Sequence, residues 1–355
     1  MKPKHCIPVA LMILAVTTAA HAQTGDLRER LKERLQQRSG ATAGSDANSG
    51  VDAQDLSDLG GSGNAMSCEE WARKVNRLQK RADGKNAGPA ADLENVAYGP
   101  ENLEKFDVFL PGHKSTDTLA PIILMVHGGG WCVGDKGGAM MTENKVARWA
   151  PKSFVFISIN YPMINDGSNA LAQASHVAKA AAFVQANAQK WGGDPTKLVL
   201  MGHSAGAHLV SLVNASAKIR QANGMRPILG TVSLDAGAID VVKQMPNVYP
   251  FLKTRYREAF GTTEAEWITA SPFHQIDPSA APWLGVCSST RKDDPCGQAK
   301  AYADKSKSLG IKAAVQPERK NHSAINKELG KPGDYTSKVE SFMVSLDPLM
   351  AQLLK

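Results

Sequence analysis

What the 355 residues lack narrows the field before anything present is weighed. No Cys-x-x-Cys and no paired-His spacing occurs, so a tetrahedral zinc site has no ligand set, and no metal is expected. Neither Gly-x-x-x-x-Gly-Lys-Ser/Thr nor a Gly-x-Gly-x-x-Gly after a strand-like run appears. The two common phosphate and dinucleotide cradles are therefore missing, and no cofactor is expected. Aromatic residues make up 6% of the chain and do not interleave with a basic stripe, which argues against nucleic-acid binding despite a formal net charge of +7. The longest early apolar stretch, Ile7 to Val16, falls short of the ~20 residues that cross a bilayer.

That stretch has another reading. Lys2 and Lys4 precede it and Ala20-His21-Ala22 closes it with a small-x-small pattern, so residues 1–22 are expected to be a signal peptide. The mature chain is then expected to start near Gln23, with no transmembrane segment, in the periplasm or outside the cell. Cys6 would leave with the leader. Of the five cysteines this keeps Cys68, Cys132, Cys287 and Cys296, an even set suited to an oxidising compartment. Cys287 and Cys296 lie close together across a strand end, which favours Cys287–Cys296 with Cys68–Cys132 as its complement. Four free thiols are the alternative.

Hydrophobic residues at 43% and charged residues at 21% describe a globular chain long enough for a large core. Residues 23–65 are the exception, rich in Ala, Ser, Gly, Asp and Gln, and are expected to form a low-complexity tail. Within it, Leu27 to Leu35 repeats leucine every four residues among charges, which fits a short amphipathic helix or a solvated segment equally. The basic stretch Leu27–Arg38 of this tail could attract acidic surfaces weakly. Residues 66–92 read as a helix and linker, with Ser67 as N-cap and Glu69 and Glu70 in the first turn. From 93 to 355 strand-like runs (Phe106–Leu110, Pro121–Val126, Ser153–Ile159, Lys197–Met201, Gly230–Leu234, Pro282–Ser288, Ala313–Gln316) alternate with helical ones (Ala170–Trp191, Gln298–Leu309). That alternation predicts an α/β fold with a mostly parallel sheet covered on both faces. Between 236 and 281 the pattern breaks into a Pro- and aromatic-bearing insertion, expected to serve as a lid or pocket wall.

Residues 202–206 read Gly-His-Ser-Ala-Gly between the apolar run Lys197–Met201 and the helical run Ala207–Val213. A strand, a Gly-x-Ser-x-Gly turn and a helix in that order present a serine hydroxyl at the top of a sheet. Such a hydroxyl needs a base to become a nucleophile. Ser204 is thus the expected nucleophile. His322, in the loop after the last strand, is the expected base. The acid is expected after the Pro282–Ser288 strand, where Asp293 and Asp294 stand together; Asp294 is favoured narrowly because Pro295 biases it toward extended backbone, and Asp240 is a distant third. His127-Gly-Gly-Gly-Trp131 follows another apolar strand, and the N–H groups of Gly129, Gly130 and Ala205 are expected to receive a developing oxyanion. Trp131 lines the pocket or packs under the loop, and His203 and His208 read as structural.

These motifs carry a resemblance. His127 to Lys136, Asn160-Tyr161, Trp191 to Pro195, Gly202 to His208 and His322 to Asn326 are similar to the alpha/beta-hydrolase superfamily, in particular its carboxylesterase and lipase-like members. The closing segment, with Leu329-Gly330 and Pro332-Gly333-Asp334, resembles kynurenine formamidases and bacterial feruloyl or xylan esterase-like enzymes. The resemblance covers about Asn95 to Leu346. It implies a serine hydrolase that cleaves small-molecule or polymer-linked carboxylic esters through an acyl-enzyme, without a cofactor, and the leader adds that it is secreted. The compact acid loop Arg291 to Cys296 and the tail 23–65 depart from it. An aryl formamidase is the alternative within the superfamily, and a non-catalytic binding module on the same fold the alternative outside it.

Overall fold

A computed structural model describes residues 65–81, 87–112 and 118–355, all within one compact unit. The expected signal peptide, Cys6, the leucine-spaced segment 27–35 and nearly all of the low-complexity tail lie outside the described residues. Among the described residues no helix is long and apolar enough to cross a membrane.

Eight strands form one sheet: β1 Leu93–Ala97, β2 Lys105–Phe109, β3 Ala120–Val126, β4 Val155–Ile159, β5 Gly193–His203, β6 Gly230–Leu234, β7 Trp283–Ser288 and β8 Ala313–Glu318. Their spatial order is β1-β2-β4-β3-β5-β6-β7-β8. β1–β2 and β2–β4 pair antiparallel at one edge, and the pairings from β4 through β3 to β8 are parallel. The helices are α1 Cys68–Arg81, α2 Ala139–Trp149, α3 Ala170–Asn187, α4 Ala205–Ala215, α5 Ala217–Ala222, α6 Val241–Gln244, α7 Lys253–Phe260, α8 Glu264–Thr269, α9 Pro272–Gln275, α10 Pro295–Ser308, α11 His322–Glu328, α12 Asp334–Val344 and α13 Pro348–Leu353. This is the expected α/β architecture, an alpha/beta-hydrolase fold.

Strand alternation sorts the core into two layers. Ile122, Leu124 and Val126 of β3 point with Ile157 and Leu200 toward α3 and α4, while Ile123 and Met125 point with Phe156 and Met201 toward Trp149, Val339 and Met343. All seven residues of β3 are buried, which explains its continuous apolar run. Each fully buried Ile, Leu or Val contributes about 1.5–3 kcal/mol relative to exposure. The sheet is therefore rigid at its centre, and its C-terminal edge is where loops carry chemistry.

Local signals act as the sequence indicates. Ser67 and Glu70 cap α1 reciprocally, Glu70 N–H donating to Ser67 Oγ (3.2 Å) and Ser67 N–H to Glu70 Oε2 (2.9 Å). The helical run from Ala170 tightens into a 3₁₀ turn at Ala188–Trp191 and stops at Gly192, which takes φ 75°. Both expected disulfides are present, Cys68–Cys132 and Cys287–Cys296. The broken pattern at 236–281 resolves into short helices, α6 to α9. The extended conformation expected at Asp294 does not occur: it is left-handed, φ 54°.

Candidate active site

Ser204 sits between the end of β5 and the start of α4 with φ 57° and ψ −118°. Such a conformation strains any residue with a Cβ, and the surroundings impose it. A Cβ on Gly202 would come within 2.3 Å of the Gly206 carbonyl oxygen, and one on Gly206 within 2.2 Å of the Val126 oxygen. Strand and helix therefore close on each other only where both flanking positions are glycine. The Ser204 N–H donates to the Leu234 carbonyl (3.0 Å), which fixes the turn against the end of β6.

The residue after Leu234 is Asp235, wholly buried and also left-handed, φ 56°. Its Oδ2 accepts from His322 Nδ1 at 2.6 Å, and its Oδ1 from the Ser288 N–H at 2.7 Å. His322 opens α11, capped by Asn321 Oδ1 on the Ala324 N–H (2.8 Å). Lys145 Nζ grips the same helix through Asn326 O and Oδ1 at 2.7 and 2.9 Å. The His322 ring lies 4.5 Å from that of His203, the residue before Ser204.

The carboxylate that meets His322 thus follows β6 and not, as expected, β7. Asp294 is turned outward, its side chain 64% exposed, and caps α10 by accepting from the Gly297 N–H (2.9 Å). The Asp293 side chain is only 3% exposed, but both its oxygens are held by the Arg291 guanidinium. Asp240 caps α6. Three carboxylates are therefore engaged elsewhere, and Asp235 alone of these four reaches His322. Asp235 is not among the carboxylates weighed from the sequence, although an aspartate directly after the strand that follows the elbow is a usable sign.

Arg291 completes the cluster. Its Nη1 donates to Asp235 Oδ2 at 2.9 Å and to the Asp235 carbonyl at 3.1 Å. Burial alone would raise the Asp235 carboxyl. The adjacent Arg291 charge and the His322 hydrogen bond overcome it and hold the group far below the usual carboxylate range.

The loop after β3 faces the elbow. A Cβ on Gly128 would lie 2.8 Å from both the His203 oxygen and Ser204 Cβ. Gly129, Gly130 and Trp131 follow with φ 122°, 64° and 63°, so three successive peptides are turned in a way that favours glycine. Among the described residues the N–H groups of Gly129 and Gly130 donate to no protein acceptor. Ala205 is the first residue of α4, and its N–H has no intrahelical acceptor. Trp131 packs rather than stacks on a ligand. Its ring meets His208, Tyr256 and Phe260 edge-on, and its Nε1–H donates to His208 Nδ1 (3.3 Å). His208 Nε2 in turn donates to the Ala270 carbonyl (2.8 Å), and burial pulls its imidazole down to about 4, which keeps it neutral and structural. His203, fully buried and bonded to the His322 carbonyl (3.0 Å), is structural in the same way.

A family model described as BD-FAE matches residues 106–287, just over half of the chain. The chain belongs to the BD-FAE family. Among curated proteins, esterase LipQ of Mycobacterium tuberculosis is 25% identical over 251 residues, covering 67% of this chain and 58% of LipQ. Kynurenine formamidase of Salmo salar is 26% identical over 207 residues, covering 58% of this chain and 64% of its own length. The BD-FAE chain spans between about a quarter and under two thirds of the length of the curated relatives it matches. Among solved structures, esterase B from Lactobacillus rhamnosis superposes with a TM-score of 0.61 at 15% identity, covering 79% of this chain and 93% of that one. That likeness shows the fold of this BD-FAE member, and the residues described above are what it offers for chemistry.

Proposed function

We propose that this chain is a serine hydrolase that cleaves carboxylic esters through an acyl-enzyme intermediate. The observation that carries the reading is the 2.6 Å bond from His322 to buried Asp235, formed beside a strained serine elbow. Asp235 fixes the imidazole with Nδ1–H toward itself, so Nε2 is the nitrogen available to a hydroxyl. Ser204 attacks the ester carbonyl while His322 takes its proton. The N–H groups of Gly129, Gly130 and Ala205 receive the oxyanion, each worth about 10²–10³ in turnover. His322 then protonates the departing alcohol, and water repeats the sequence in reverse to free the acid.

Converting Ser204 to Ala is expected to abolish hydrolysis of p-nitrophenyl acetate and labelling by a fluorophosphonate probe. Full activity in S204A, or no adduct at Ser204 in the unaltered protein, would overturn the assignment; the latter result is the one a non-catalytic binding module gives. The likeness to the salmon formamidase supports a second reading, in which the same groups open an aryl formamide. Turnover of N-formylkynurenine exceeding that of every ester tested would favour it. The leader at 1–22 and the two disulfides support placement in the periplasm or beyond the cell. Recovered protein should then begin near Gln23, and an intact N-terminus on the active protein counts against that placement.

A further inference from the structure

The geometry points to Arg255 as an anion-recognising residue beside the oxyanion loop, which assigns the substrate class as esters carrying a carboxylate on their acyl or alcohol part. This rests on the hydrolase reading and goes beyond it.

Arg255 lies on α7 and is 5% exposed. Among the described residues its guanidinium makes no hydrogen bond and no ion pair, and its Nε is enclosed without a partner. Burial pulls it down to about 10, against the pull of Tyr256 and Glu258, so it is a cation at neutral pH. Glu258 is committed elsewhere, its Oε2 accepting the Cys68 N–H at 2.8 Å. One face of the guanidinium is covered by the Trp71 ring, 4.4 Å from its centroid. A ring face engages the charge but none of the five N–H donors on the guanidinium edge.

One of those donors, Nη1, lies beside the glycine loop that follows β3. A Cβ on Gly130 would lie 3.7 Å from Arg255 Nη1. The placement is stiff: Trp131 packs on Tyr256 and Phe260 of α7, and Cys132 is tied to α1, which holds Trp71. A buried unpaired charge costs several kcal/mol, and packing alone would be served better by Met or Leu. A carboxylate accepted by the fork repays that cost, with the planar bidentate fit that Arg offers.

The test uses the full chain, Arg255→Met and Arg255→Lys. It compares kcat/KM for two pairs of esters, p-nitrophenyl hydrogen succinate against p-nitrophenyl pentanoate (acyl side) and p-acetoxybenzoate against p-tolyl acetate (alcohol side). In the unaltered protein at least one anionic ester is expected to be preferred by about 10- to 100-fold. That ratio should collapse toward one in R255M and survive in part in R255K. A ratio of one or less for both pairs in the unaltered protein overturns the proposal, and this result needs no variant to fold. A uniform fall for charged and neutral esters in R255M also overturns it, assigning Arg255 to the oxyanion instead. Should no ester be turned over and no fluorophosphonate adduct form, the hydrolase reading fails separately. Calorimetric titration of S204A with monomethyl succinate and p-hydroxybenzoate then decides the arginine alone: binding that is lost on adding R255M supports it, and absence of binding sinks it.

Discussion

Arg291 donates to the same oxygen of Asp235 that His322 uses, Oδ2, at 2.9 Å against 2.6 Å for the imidazole. The two N–H groups converge from different elements, the loop after β7 and the start of α11, with Nη1 and Nδ1 only 3.1 Å apart. A buried carboxylate in this position stays ionised because a permanent cation stands beside it, and a second carboxylate, that of Asp293, balances that cation in turn. The imidazole is therefore oriented by a charge whose presence does not depend on the imidazole itself.

Replacing Asp235 by Asn separates its role from that of the exposed aspartate. D235N keeps the shape but removes the acceptor charge and allows the wrong imidazole tautomer, so kcat on p-nitrophenyl acetate is expected to fall by about 10³–10⁴. D294N removes only part of a helix cap, and Asn caps nearly as well as Asp. Its kcat should stay within about threefold of the unaltered protein. Steady-state kinetics on the two variants checks both. Equal losses would return the orienting role to the loop after β7.

The pH dependence of stability follows from the depressed Asp235 carboxyl. A carboxyl that titrates lower when folded than when unfolded gives stability that is complete above the unfolded value. It is lost as the pH falls through the folded one. Arg291→Met removes the cation that does most to overcome burial, leaving Asp235 with His322 and the Ser288 N–H alone and Asp293 without its guanidinium partner. A loss of about 3–5 kcal/mol is expected at pH 7. As the pH falls below the carboxylate range the variant should approach the unaltered protein, because protonation then relieves the variant while it costs the unaltered chain. Urea unfolding at several pH values measures this. Parallel curves would show that Arg291 and Asp235 are not coupled.

What the sequence made legible was what short-range rules govern. The elbow was readable because its demand for glycine at 202 and 206 comes from atoms within a few residues or on the next strand, and no other residue relieves it. The acid was not readable by strand count, since the loops after β6 and β7 leave adjacent strands and both reach the helix that starts at His322. Asp294-Pro295 did carry a local message, an N-cap followed by proline in the first helical turn, which describes the role it has. Arg255 lies in the segment whose pattern breaks, and its isolation depends on how α7 packs against Trp71 and the glycine loop after β3, which no periodicity encodes.

The two disulfides should differ in what their removal costs. Cys68–Cys132 closes a separation of 64 residues and Cys287–Cys296 one of 9. Loop-closure entropy assigns them about 4 and about 2.5 kcal/mol. The longer one also joins α1 to the residue after Trp131, so it holds both the glycine loop after β3 and the ring beneath Arg255. The double variant C68A/C132A is therefore expected to lose the larger share of stability, read from the urea midpoint, and to lose kcat even under conditions where it remains folded. C287A/C296A should lose less stability; its bridge ties the end of β7 to α10, and Asp235 is still held by Ser288 and Arg291. The reverse ranking, or unchanged kcat in folded C68A/C132A, would mean that the glycine loop after β3 is held by its own packing against His208 and Phe260 and owes nothing to the cross-link.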